Sequence, residues 1–180
     1  LDPRAASAAL TSRTRALVGV DYAGQPCDWP ALRRLADAHG LALFADGCHA
    51  LGAALDGVEV GGLADATTFS FHPVKHVAAG EGGAITTADD GLAAAMRRFR
   101  THGISKTAEE RAQAGTWAYE MVALGYNYRL TDFQCALAGS QLTKLASSVS
   151  RRSAIARQYN EALADLPGVR PLDHVRGRHA

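Results

Sequence analysis

Lys75 lies in the stretch 69–84 (FSFHPVKHVAAGEGGA), which begins as an apolar strand, breaks at Pro73 and runs into a cluster of glycines. The 180-residue chain holds only three lysines against sixteen arginines, so arginine carries nearly all of the routine surface charge. A lysine in an apolar, glycine-flanked stretch therefore asks for a reason. Arginine keeps its proton in proteins, whereas a desolvated lysine can lose it and act as a nucleophile or Schiff-base amine. The chemistry this indicates is covalent attachment of a carbonyl cofactor at Lys75.

Asp46 is the second residue of interest. An Asp before Gly47 at a strand end can simply cap the following turn. It can also sit against a positively charged ring nitrogen. A pyridoxal phosphate ring withdraws electrons well only while its pyridine nitrogen stays protonated, and a fixed carboxylate achieves that. An Asp and a Lys on neighbouring strand ends, in that order, are what such chemistry requires, and the pair is more informative than either residue. His49, three residues on, is placed to contact the ring face or its phenolic oxygen, or else is a packed or solvent-facing side chain. Ser70, five residues before Lys75, is a backbone-satisfied strand serine or a hydroxyl donor to a phosphate. Gly80, Gly82 and Gly83 are turn residues or let backbone approach a ligand closely. They do not form a phosphate loop of the G-x-x-x-x-G-K-[ST] type, because the lysine precedes the glycines. In 125–129 (GYNYR), Asn127 and its flanking tyrosines either pack on the next helix or reach a phosphate. His72, His76 and His102 show no metal spacing with acidic partners.

The elements that must position these residues follow from the pattern. Asp2 and Pro3 start a helix to Leu10. Residues 15–21 read as a short buried strand, 22–27 as a loop, and Asp28 caps a helix to His39 with Gly40 as its stop. Residues 41–45 form another apolar strand. Strand, helix and strand of this length make a βαβ unit with a parallel sheet, and ligands in such sheets sit beyond the carboxyl ends of the strands. Asp46 is at one of those ends. Residues 53–62 are turn-rich with room for a short hairpin, 66–71 are the next strand, and 83–87 return as its partner. Asp89 or Asp90 caps a helix to Arg100. The polar stretch 101–120 reads as an irregular, functional or mobile section. Thr131 or Asp132 caps a long helical region to about Leu166, ended by Pro167 and Gly168.

Composition bounds the alternatives. The chain is 47% apolar with a net charge of +1, which is ordinary for a globular core and argues against a nucleic-acid or membrane-surface partner. No run approaches the roughly 20 apolar residues that span a bilayer. Cys27, Cys48 and Cys135 are odd in number and far apart, as expected of reduced thiols in a cytoplasmic protein. The chain opens without Met or a signal-peptide pattern, as the middle of a domain would.

The stretches 44–53 (FADGCHALGA), 70–75 (SFHPVK), 80–83 (GEGG) and 125–132 (GYNYRLTD) together resemble the sugar aminotransferases of the DegT/DnrJ/EryC1/StrS family. Within it, 70–75, 100–104 (RTHGI) and 22–26 (YAGQP) are similar to members acting in pseudaminic acid biosynthesis. The resemblance runs along nearly the whole chain.

It implies an α/β fold: the central part of the large domain of the fold-type I pyridoxal phosphate-dependent transferases, a mostly parallel sheet flanked by helices. Residues 1–130 would be the C-terminal part of that domain, and 131–180 a long helical region opening the small C-terminal domain. By the same resemblance, Lys75 is the Schiff-base lysine, Asp46 the partner of the pyridine nitrogen, Ser70 a phosphate ligand, and His49 stands where the family has Gln or His against the cofactor. Asn127 matches an Asn reaching the phosphate in the neighbouring subunit, which implies a homodimer with shared active sites. The implied reaction moves an amino group from glutamate to C4 of a UDP-linked 4-keto-6-deoxy-N-acetylhexosamine. Other nucleotide sugars, or a non-catalytic relative, are the alternatives, and retention of Asp46, Ser70 and Lys75 together argues against the latter. Family members are roughly twice this length. The phosphate-binding turn and the aromatic ring that stacks on the cofactor would precede Leu1, so the isolated chain is expected to be inactive.

Overall fold

A computed structural model describes residues 1–171 and 177–180. They form two compact units, one of residues 1–87 and 132–180, the other of residues 88–131.

The first unit begins with helix α1 (Pro3–Ala9), where Asp2 accepts the Arg4 N–H, then strand β1 (Ala16–Val20) and a single 3-10 turn over 22–24. Helix α2 (Trp29–His39) is capped by Asp28, whose carboxylate accepts the Ala31 N–H, and ends at Gly40 in the left-handed conformation. Both ends match their sequence signals. Strands β2 (Ala42–Asp46), β5 (Ala66–Ser70) and β6 (Gly83–Thr86) complete a sheet ordered β1-β2-β5-β6. Between β2 and β5, strands β3 (Ala54–Leu55) and β4 (Val58–Glu59) make the short hairpin. Strands β1, β2 and β5 run parallel and β6 antiparallel. The expected mostly parallel α/β sheet is present.

Register sets the faces of this sheet. Helix α2 turns Trp29, Leu32 and Ala36, spaced three and four apart, onto Leu17, Leu43 and Ala45, the apolar stripe of a helix packed on a sheet. A second cluster joins Ala50, Ala53, Val60 and Phe69. Apolar runs in β1 and β2 read as fully buried strands, but only alternate residues are buried. Val18 is 56% exposed and Val20 44%, because successive side chains point to opposite faces and α2 covers one of them.

Helices α5 (Asp132–Leu142) and α6 (Leu145–Leu163) close the first unit. The sequence reads as one helical region here, and the structure interrupts it at Thr143 and Lys144. Thr143 turns its hydroxyl back to the Ser140 carbonyl at 2.8 Å, a contact by which threonine bends helices. Gln134 Nε2 donates to the Glu81 carbonyl at 3.0 Å, tying α5 to the glycine loop. Gly52 lies against Leu145 and Val149 of α6, where an added Cβ would come within 3.0 Å of Val149. Among the described residues no helix is long and apolar enough to cross a membrane.

In the second unit, helix α3 (Asp90–Arg100) is capped by Asp89. The stretch expected to be irregular contains a short helix, α4 (Ala108–Gln113), with a capping box between Thr107 and Glu110. That Thr-x-x-Glu signal stands in the sequence; the polar composition around it masks it. Gly103 and Gly125 then let two backbone segments meet, and Phe99, Tyr126 and Tyr128 form an aromatic group with the tyrosine rings stacked 5.0 Å apart.

Candidate active site

Asp46 ends β2 in register with Val20 of β1 and Thr68 of β5. Its Oδ1 accepts the Cys48 N–H at 3.0 Å, so it does form the turn cap that an Asp before Gly permits. Capping leaves the carboxylate ionised. The Cys48 thiol and backbone amide, with the Lys75 charge nearby, hold it below the usual carboxylate range against partial burial. An acid of this kind is an anion at neutral pH.

Ser70 ends β5, and its Oγ accepts the His72 N–H at 3.2 Å. Since the hydroxyl accepts there, its own proton stays free to donate. Beyond it the chain turns: the Lys75 N–H donates to the His72 carbonyl at 2.9 Å, and the Val74 N–H to His72 Nδ1 at 3.3 Å. Val77 and Ala79 anchor the far side of this turn in the interior, leaving Lys75 half-buried. The loop then closes through Phe71 N–H to the Gly82 carbonyl at 2.8 Å.

Lys75 is electrostatically coupled to three neighbours. Its charge acts on Asp46, on the Cys48 thiol and on His76. Burial, then the Arg152 and Lys75 charges, push His76 down, partly offset by the bond its ring N–H donates to the Ala180 backbone. Burial and then Asp46 push the Cys48 thiol up, so this thiol is a poor nucleophile at neutral pH. His49 follows Asp46 by three residues; its Nδ1 accepts the Ala23 N–H at 3.3 Å and its ring lies 5.4 Å from that of Tyr22.

The structure thus gathers Asp46, His49, Ser70 and Lys75 at the carboxyl ends of β2 and β5 and in the turns that follow. Asn127 belongs to the second unit, exposed, in a bridge with Thr101. Sequence reasoning passed over Asp21. It leaves β1 one residue past the strand, fully buried, and its Oδ1 accepts both the Cys27 N–H at 2.7 Å and Trp29 Nε1–H at 3.0 Å. The signal was available, since Asp21 follows an apolar strand as Asp46 ends one. The donor set can hold an aromatic carbonyl cofactor bearing a phosphate. It offers an amine to bond it covalently, a carboxylate held ionised for a ring cation, and a hydroxyl with a free proton.

The model of the DegT/DnrJ/EryC1/StrS aminotransferase family matches residues 1–180. The chain is 41% identical to the spore coat polysaccharide biosynthesis protein SpsC of Bacillus subtilis, over 100% of this chain and 47% of that protein. It is similar to the solved structure of PseC from Helicobacter pylori, an aminotransferase involved in pseudaminic acid biosynthesis. There the TM-score is 0.84 at 36% identity, covering 93% of this chain and 43% of that one. It is also similar to the putative sugar aminotransferase Spr1654 of Streptococcus pneumoniae in its pyridoxamine phosphate (PMP) form, with TM-score 0.86 at 28% identity, covering 99% and 50%. The chain spans about half the length of the curated relatives it matches. By this match over its full length, the chain belongs to the DegT/DnrJ/EryC1/StrS aminotransferase family.

Proposed function

We propose that the protein containing this chain is a pyridoxal phosphate-dependent aminotransferase acting on a nucleotide sugar. In this reading glutamate donates the amino group, and C4 of a UDP-linked 4-keto-6-deoxy-N-acetylhexosamine receives it on the way to pseudaminic acid. The observation that carries the reading is an ionised Asp46 at the end of β2, with Lys75 in the turn after the neighbouring β5, in a family member. When bound, the cofactor supplies the electron sink. Lys75 Nζ would hold it covalently and, as a free amine, would take and return the proton at the substrate carbon. Asp46 keeps a proton on the ring nitrogen. His49 would lie against the ring, and the free Ser70 proton would go to the phosphate. Asn127 serves the phosphate of a second copy, in a cytoplasmic homodimer with shared active sites, with neither nucleic acid nor membrane as partner. On this reading residues 1–130 finish the large cofactor domain and 131–180 open the smaller one.

The test is the visible spectrum and turnover of the full-length protein with added pyridoxal phosphate. The wild type is expected to show the absorbance of a lysine-bound cofactor and Lys75→Ala to lose both absorbance and transamination. A Lys75→Ala protein that still transaminates overturns the assignment. Another nucleotide sugar of the same family is the second reading, favoured by the higher identity to SpsC than to PseC. A panel of keto-sugars separates the two.

A further inference from the structure

One buried carboxylate ties down the loop that carries the 3-10 turn over 22–24. Asp21 Oδ1 gathers the Cys27 N–H and the Trp29 indole N–H, which draws the far end of the turn and the start of α2 onto the end of β1. Its backbone contributes as well: the Gly24 N–H donates to the Asp21 carbonyl at 3.3 Å, and the Gln25 N–H to the Tyr22 carbonyl at 3.2 Å. Within this closed turn Ala23 has φ +54°, a left-handed conformation that an alanine holds only where its surroundings impose it. That conformation places the Ala23 N–H on His49 Nδ1. A ring nitrogen that accepts a hydrogen bond carries no proton, so in the neutral imidazole the proton is on Nε2.

We propose that Asp21 is a positioning residue for the cofactor site, holding the 22–27 turn so that Ala23 keeps His49 as the Nε2–H tautomer, a fixed donor toward the cofactor. The inference rests on the aminotransferase reading only in what Nε2 faces; the tautomer follows from the turn alone. Asp21 Oδ2 is buried without a partner among the described residues. The bonds from the Cys27 and Trp29 N–H groups thus fall on one oxygen, and both serve this turn.

The test uses the uniformly 15N-labelled full-length protein, first without pyridoxal phosphate. His49 signals are assigned by their loss in His49→Gln. The expected wild-type result is a single Nε2–H tautomer and an Ala23 amide slow to exchange with solvent. Asp21→Ala is expected to turn His49 into a mixture of tautomers and to speed Ala23 exchange by about tenfold, the scale of one lost hydrogen bond. Asp21→Asn keeps an oxygen acceptor and is expected to restore both. If Asp21→Ala does not fold, Trp29→Phe removes one of the two bonds and is expected to give intermediate exchange at Ala23. A proton on Nδ1 in the wild type overturns the proposal, as does wild-type His49 and Ala23 behaviour in Asp21→Ala. Pyridoxal phosphate is then added. A shift of the Nε2 signal supports the donor role, and an unmoved Nε2 signal in a protein that shows the lysine-bound absorbance overturns that role. If no such absorbance forms, the cofactor reading fails while the tautomer result stands.

Discussion

The Asp21 N–H donates to the Asp46 carbonyl at 3.0 Å, so two carboxylates leave adjacent parallel strands at the same level of the sheet. Their surroundings drive them apart. Burial pushes Asp21 above the ordinary carboxylate range, while the Cys48 thiol and amide with the nearby Lys75 charge hold Asp46 below it. One acid is arranged as a structural clamp, the other as a standing anion, and environments that separate two carboxylates in this way also separate their roles.

Asp46→Asn removes the anion and keeps the shape. On the proposed aminotransferase reading an amide cannot hold a proton on a ring nitrogen, so kcat of the full-length protein is expected to fall by about 10²-fold or more. Steady-state kinetics with the visible spectrum check it: the covalent cofactor absorbance should persist, showing that Lys75 still reacts.

Asp21 makes stability depend on pH in the opposite sense to Asp46. Its folded-state affinity for a proton exceeds that of the unfolded chain, so its contribution is fully present below the ordinary carboxylate range and is lost as pH rises through the higher folded value. Asp46 contributes above that range, and its share is lost as pH falls. Asp21→Asn deletes the first effect alone. Its urea midpoint is therefore expected to gain on the wild type as pH rises from acid to neutral, and a gap that stays constant would contradict this.

Trp29 is both core and ligand. It is 1% exposed and donates to Asp21. Trp29→Ala empties the centre of the α2 contact and should cost about 3–5 kcal/mol. Trp29→Phe keeps most of the ring and loses the indole donor, for about 1–2 kcal/mol. Urea denaturation of the two variants separates packing from the hydrogen bond.

In the second unit, Gly103 has φ +67°, and a Cβ there would lie 1.8 Å from the Ala123 carbonyl oxygen. Gly103→Ala must move backbone, at a cost of about 2–4 kcal/mol. Hydrogen exchange should show it at the Tyr126 and Tyr128 amides, which bond Phe99 and Arg100 at 2.8 and 2.9 Å, with β1 and β2 unaffected.

Residue type and spacing make Lys75 and Asp46 conspicuous in the sequence. Chemistry that needs a neutral amine and a fixed anion draws on few side chains, and strand ends are readable from apolar runs. The caps at Asp2, Asp28 and Asp89 were equally legible, because each satisfies amides within three residues of itself. Helix α4 was missed under a polar composition, and the interruption at Thr143 turns on one hydroxyl's choice of acceptor.

What the sequence by itself determined was local: the periods of strand and helix, the caps, and the order Asp46, His49, Ser70, Lys75 along one chain. What only the tertiary structure decided was pairing at a distance. Which face of the sheet α2 covers, which atoms share the Asp21 carboxylate, and which nitrogen of His49 holds its proton all depend on groups brought together from separate stretches of chain. The Ala23 amide that selects the His49 tautomer comes from 26 residues upstream. Hydrophobic pattern is written residue by residue, but a hydrogen bond belongs to two groups at once, and only folding sets their separation.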